Sequence, residues 1–104
     1  MIKLPKTYQA NGTRYKVKFA DGDEGYFNSA DQVIEIGKKM ANDYTTIWAF
    51  IHECAEASAA VLGFRYKKTT EADSPIFVMT HSQFDNVMAE VARGVMDLME
   101  ANKK

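Results

Sequence analysis

With one cysteine, Cys54, in 104 residues the chain can form no intramolecular disulfide, and that points to a reducing compartment. Long apolar runs are missing as well. The longest, Ile47 to Leu62, is interrupted by one His and two Glu and falls short of the roughly 20 residues a bilayer span needs. Met1-Ile2-Lys3-Leu4-Pro5-Lys6 lacks the apolar core of a secretion signal. No charge of one sign dominates: 13 Lys and Arg stand against 14 Asp and Glu, for a net charge of -1. The basic residues are spread along the chain, which leaves no electrostatic footprint for nucleic acid or an anionic membrane. There is no Gly-rich phosphate loop, no Ser-His-Asp arrangement, no repeat and no low-complexity stretch. These absences leave a cytoplasmic protein of one domain, residues 1–104, whose 46% hydrophobic and 26% charged residues suit an ordinary globular chain. At this length about 60–70% of the unfolded surface can be buried, enough to fold without staples.

What is present divides by period. Arg14 to Ala20 alternates Tyr15, Val17 and Phe19 with Arg14, Lys16 and Lys18, the pattern of a half-buried strand. Asp21-Gly22-Asp23-Glu24-Gly25 predicts a turn, Tyr26 and Phe27 continue extended, Asn28 to Asp31 turns again, and Gln32 to Gly37 reads as a strand. Hairpins of this kind make a small, mostly antiparallel sheet. Beyond it, Asn42 or Asp43 can cap a helix running to about Leu62, with Gly63 as its stop. The polar connection 64–75 is long for an unstructured loop, so it is a functional flap or holds a short strand. Thr80 with Gln83 forms a capping box, Met79 with Phe84 a hydrophobic staple. The apolar stripe Phe84, Val87, Met88, Val91, Val95 and Leu98 carries the last helix to about Ala101. The expected fold is α+β: a small antiparallel sheet packed against two main helices.

The first helix carries the unusual chemistry. Between Ile47 and Leu62 the polar residues with titratable side chains on an otherwise apolar segment are His52, Glu53 and Glu56. A helix this apolar is largely buried, and carboxylates placed in it without partners would cost several kcal/mol. A dication removes that cost, since carboxylate and neutral imidazole are its natural ligands. At 3.6 residues per turn His52 and Glu56 lie about 40° apart and one turn along, so both reach one ion. Glu53, about 100° round from His52, is placed to reach water activated by the metal, as the second residue of His-Glu-x-x-His zinc helices does. Cys54 falls about 200° from His52 and reads as a small core residue.

A catalytic zinc needs a third protein ligand and one open position. The only other histidine is His81, just after the Thr80 cap, with Asp85 one turn on to accept the second imidazole N–H. The plainer alternative keeps Glu53 and Glu56 at the surface, paired with Lys or Arg, and makes His52 a satisfied core histidine. Tyr44, Arg65 and Tyr66 flank the helix ends and could stabilise an oxyanion, although such residues are more often surface groups. Lys67-Lys68 reads as solvated loop. Met88, Met96 and Met99 on the last helix read as core or helix contact, and that helix offers a surface for a homodimer.

These residues together resemble a family of small phage and prophage proteins of the zincin-like type. The stretches that carry the resemblance are Gln32-Val33-Ile34-Glu35-Ile36, Ile51-His52-Glu53-Cys54-Ala55-Glu56-Ala57, Thr80-His81-Ser82-Gln83-Phe84 and Gly25-Tyr26-Phe27-Asn28. The resemblance covers the chain from about Tyr15 onward. It implies a minimal metallopeptidase-like fold, metal ligands at His52, Glu56 and His81, and a base at Glu53. Glu56 departs from ordinary zincins, in which the second ligand is His. The expectation is a zinc-dependent hydrolase holding one Zn2+ and acting on a peptide or protein substrate, in the host bacterial cytoplasm if phage-encoded. The alternative is a non-enzymatic phage protein that keeps the fold for structure or interaction.

Overall fold

A computed structural model describes residues 1–28, 30–63, 65–67 and 75–104; of residues 27, 65–67 and 75–77 it describes the backbone alone. The chain forms β1 (Thr7–Ala10), β2 (Thr13–Ala20), β3 (Gly25–Asn28), β4 (Val33–Gly37), α1 (Asp43–Val61), β5 (Arg65–Lys67), β6 (Pro75–Phe77) and α2 (His81–Ala101). This is the expected α+β arrangement, with two helices against a small sheet. The 64–75 connection opens and closes on β5 and β6, which pair antiparallel; residues 68–74 lie outside the described residues.

The sheet is mixed in direction, its order being β1-β2-β4-β3. The β1–β2 and β3–β4 pairs are antiparallel, while β2 and β4 run parallel with Val17 opposite Ile34. The parallel pair follows from the path after β2. The Asp21–Glu24 bend crosses the end of β4, where the Gly37 N–H donates to the Glu24 carbonyl at 2.8 Å and the Lys39 N–H to the Gly22 carbonyl at 2.9 Å. A Cβ at Gly37 would stand 2.7 Å from the Gly22 carbonyl carbon, so only glycine admits the crossing. The chain thereby reaches the far side of β4 and returns along it as β3.

The strand β1 lies ahead of the alternating segment. Asn11 and Gly12, with φ of 45° and 85°, supply the two left-handed residues that a tight hairpin between β1 and β2 needs. Tyr15 and Val17 are buried while Arg14, Lys16 and Lys18 face solvent, as the alternation requires.

Helix α1 begins where the Asn42 side chain accepts the Thr45 N–H at 2.9 Å and ends at Leu62, with Gly63 at φ 83°. It packs across β1, β3 and β4. Phe50, Cys54, Ala57 and Ser58 are buried with Tyr8, Tyr15, Ile34 and Ile36 in the main core. Helix α2 opens with the full capping box of Thr80 and Gln83 and lies on α1 and β1, burying Val87, Val91 and Leu98. Met88, Met96 and Met99 do not fill the core. All three are exposed, because α2 buries only the strip that meets α1 and β1, and they lie outside it.

Two buried polar contacts tie these layers. The Tyr8 hydroxyl and the Ser58 hydroxyl, both fully buried, share a hydrogen bond at 2.5 Å. Glu90, also buried, accepts from the Asn11 N–H at 3.2 Å and from Arg93, which pins the β1–β2 hairpin to α2. No helix among the described residues is long and apolar enough to cross a membrane.

Candidate metal centre

The middle of α1 places three donor groups together. His52 Nε2 lies 3.0 Å from Glu56 Oε2 and 3.9 Å from Glu53 Oε2. One donor atom from each of the three side chains falls within 4.8 Å of the others. The one-turn spacing accounts for the His52–Glu56 contact, and the flexible carboxylate arm of Glu53 covers the additional rotation around the helix.

Burial is graded across the group. The Glu53 side chain is 7% exposed, Glu56 18% and His52 46%. The cluster therefore sits at the edge of the core, with the imidazole turned outward and Glu53 reaching inward beneath it. The apolar sequence around these residues predicts deeper burial of His52 than occurs. The reason is geometric: Tyr44, Trp48 and His52 fall on one row of α1 that the sheet leaves open, and Tyr44 and Trp48 are exposed too. Glu53 is turned toward β3, and a Cβ at Gly25 would stand 3.3 Å from Glu53 Cγ. Glycine at this position leaves room for the glutamate stem.

Clefts open on both sides of the imidazole. One, of about 430 Å3, lies between α1 and the start of α2 and is walled by His52, Glu56, Ala59, Met79, Phe84 and Met88. The other, also about 430 Å3, includes Asp23, Glu24, Gly25, Trp48, His52 and Glu53. A larger cavity among the described residues, about 590 Å3, lies against Glu90, Arg93 and Asp97 and includes none of the three donor residues. Size does not mark the chemistry here; the smaller clefts share the donor groups.

The donor set fits a divalent ion. One imidazole nitrogen and two carboxylates suit zinc or a similar borderline cation, and three donors within 4.8 Å of one another converge on a common centre at ligand lengths of about 2.0–2.2 Å after a small rotation of the flexible carboxylate arms. Of the residues singled out from sequence, His52, Glu53 and Glu56 are brought together and His81 is not among them. His81 is the first residue of α2, exposed, with Nδ1 3.4 Å from Asp85 Oδ2. Tyr44 is 75% exposed at the start of α1, and the Arg65 and Tyr66 side chains lie outside the described residues.

Cys54, on the opposite side of α1 from His52, is 1% exposed. Burial, with the nearby Glu53 and Asp97 carboxylates, pushes its thiol well above the ordinary value of 9.0, so it is an inert core residue. The indole of Trp48 is the neighbour that the motif does not announce. It stacks on the His52 ring with centroids 5.0 Å apart and planes 25° from parallel. Its place four residues ahead of His52 was the available signal. Comparison of the chain with protein-family models, curated proteins and solved structures returned no significant match.

Proposed function

We propose that the domain is a zinc-dependent hydrolase acting on peptide bonds, with His52 and Glu56 as metal ligands and Glu53 as general base. The observation that carries this reading is the convergence of an imidazole and two carboxylates in the middle of one helix. When bound, zinc supplies Lewis acidity, polarising a carbonyl and lowering the pKa of water. Glu53, buried and 3.9 Å from His52 Nε2, takes the proton from the attacking water at its carboxylate and returns it to the leaving amine. In this reading His81 would be the third ligand, swinging in from the exposed start of α2, where the structure holds it apart from the other three donors. Asp85 at its Nδ1 would hold the tautomer that leaves Nε2 for the metal. The clefts beside His52 give the two sides of a substrate room, and the edge strand β3, whose Gly25 lines one of them, is suited to pairing with an extended peptide. On the motif resemblance, the domain belongs with small phage and prophage proteins of the zincin-like type, working in the bacterial cytoplasm.

Glu53→Gln tests the assignment. In the hydrolytic reading the variant holds zinc at one per chain and loses all turnover of peptide substrates. Turnover equal to the unmodified protein would defeat the mechanism.

A second reading has its own observation. Glu53 lies close enough to the other donors to be a ligand itself, which would make a more closed site that stabilises an interaction protein without catalysis. Zinc affinity then falls sharply in Glu53→Gln, and no peptide is cleaved by the unmodified protein. Met96 and Met99, 64% and 62% exposed, would give such a protein a surface for self-association, and light scattering on Met96→Lys and Met99→Lys checks it.

A further inference from the structure

Tryptophan occurs once in this chain, and it is not used where tryptophan stabilises best. Trp48 is 56% exposed on α1, so more than half of its surface gains nothing from core burial. The ring contact it does make is with His52, at 5.0 Å between centroids and 25° between planes. Trp48, His52 and Glu56 stand at successive steps of four along one helix face. The imidazole is therefore held from below by the indole and from above by the carboxylate at 3.0 Å.

A metal-binding histidine is normally oriented by a partner on its other ring nitrogen, a carboxylate, carbonyl or water. Among the described residues, His52 meets the two carboxylates at Nε2 and the face of Trp48. From this arrangement we infer that Trp48 is a positioning residue for the metal centre, fixing the plane of the His52 ring so that Nε2 stays directed at the site occupied with Glu56. The inference rests on the metal reading above and adds to it the means of orientation. Stacking restricts rotation about the side-chain torsions of His52, and a half-exposed imidazole without that restriction would spread over several rotamers. Bringing it back to one at each binding event lowers affinity.

The same contact makes the single indole a reporter. A cation arriving at Nε2 changes the electronic environment of a ring stacked 5.0 Å away, so zinc titration alters the tryptophan emission with the midpoint of the binding isotherm.

The experiment is isothermal titration of the full chain with zinc chloride, using the unmodified protein, Trp48→Phe, Trp48→Leu, Trp48→Ala and His52→Ala. Circular dichroism confirms that each is folded, which the exposure of Trp48 favours. The expected result is a loss of about 10-fold in zinc affinity for Trp48→Leu and Trp48→Ala, in the range found when an orienting partner of a metal histidine is removed. Trp48→Phe, which keeps an aromatic face, stays within about 3-fold of the unmodified protein, and emission of the unmodified protein tracks its isotherm. Rescue by Phe and not by Leu separates stacking from the bulk of an apolar side chain. Zinc binding by the unmodified protein with undiminished affinity in Trp48→Leu and Trp48→Ala overturns the positioning role and leaves the metal reading intact. Failure of the unmodified protein to bind zinc overturns the metal reading, and the positioning role with it.

Discussion

Replacing Gly94 by alanine sets two opposed effects against each other in the middle of α2. Alanine is favoured over glycine in a helix interior by about 1 kcal/mol, which alone predicts a more stable protein. The structure predicts the reverse. A Cβ at Gly94 would stand 2.8 Å from Tyr8 Cε1 and 3.0 Å from Tyr8 Cδ1, with Cys54 Sγ at 3.5 Å. Tyr8 cannot yield easily. It is 1% exposed, and its hydroxyl is bonded at 2.5 Å to Ser58, which is fully buried. Overpacking of a core costs about 1–3 kcal/mol, and a rigid ring anchored at its far end places this case near the upper limit. The net expectation is a loss of about 2 kcal/mol, or about 10 °C in Tm for a domain of this size. Urea denaturation followed by circular dichroism should show a lower midpoint with an unchanged slope. Ala89→Gly, at an exposed site on the same helix, isolates the propensity effect and should cost about 1 kcal/mol. Equal or greater stability of Gly94→Ala would refute the close approach of α2 to β1.

Thr80→Ala removes the capping oxygen that accepts the Gln83 N–H at 3.2 Å and should cost about 1 kcal/mol in the same denaturation assay. Cys54 should resist thiol reagents in the native protein and react fully in urea, because the buried thiol is held protonated. Burial raises the Tyr8 phenol above 10.0 and the Cys54 thiol above 9.0. The folded state therefore keeps protons that the unfolded chain releases, so this stability is fully present below about pH 9 and declines as pH rises beyond it. Thermal melts from pH 7 to 11 should show Tm falling from about pH 9 upward.

Much of the architecture is legible in the sequence because local rules and tertiary packing agree there. The Tyr15, Val17 alternation, the Asn42 and Thr80 caps and the Gly63 stop each act through a few neighbouring residues, and the structure places them accordingly. The parallel pairing of β2 with β4 depends on a backbone crossing between Gly22 and Gly37, which no periodicity encodes. Strand β1 does have a local signal, Asn11-Gly12, but only four residues precede it in the strand, too few for a firm alternation. In the site, helical spacing is enough to bring His52 and Glu56 together and to set Cys54 apart. The position of His81 depends on how α2 docks, and there the imidazole pairs with Asp85 at the helix surface. The partial exposure of His52 likewise reflects which row of α1 the sheet covers, a tertiary property.

The central claim is that the cluster of His52, Glu53 and Glu56 holds a divalent metal through His52 and Glu56, and metal stoichiometry tests it most directly. The full chain, purified without a histidine tag and reconstituted with zinc, should carry one zinc per chain by elemental analysis after exhaustive dialysis. His52→Ala and Glu56→Ala, folded by circular dichroism, should carry none. An unmodified protein that retains no zinc, iron, nickel or manganese, or one whose zinc persists unchanged in both variants, would contradict the account.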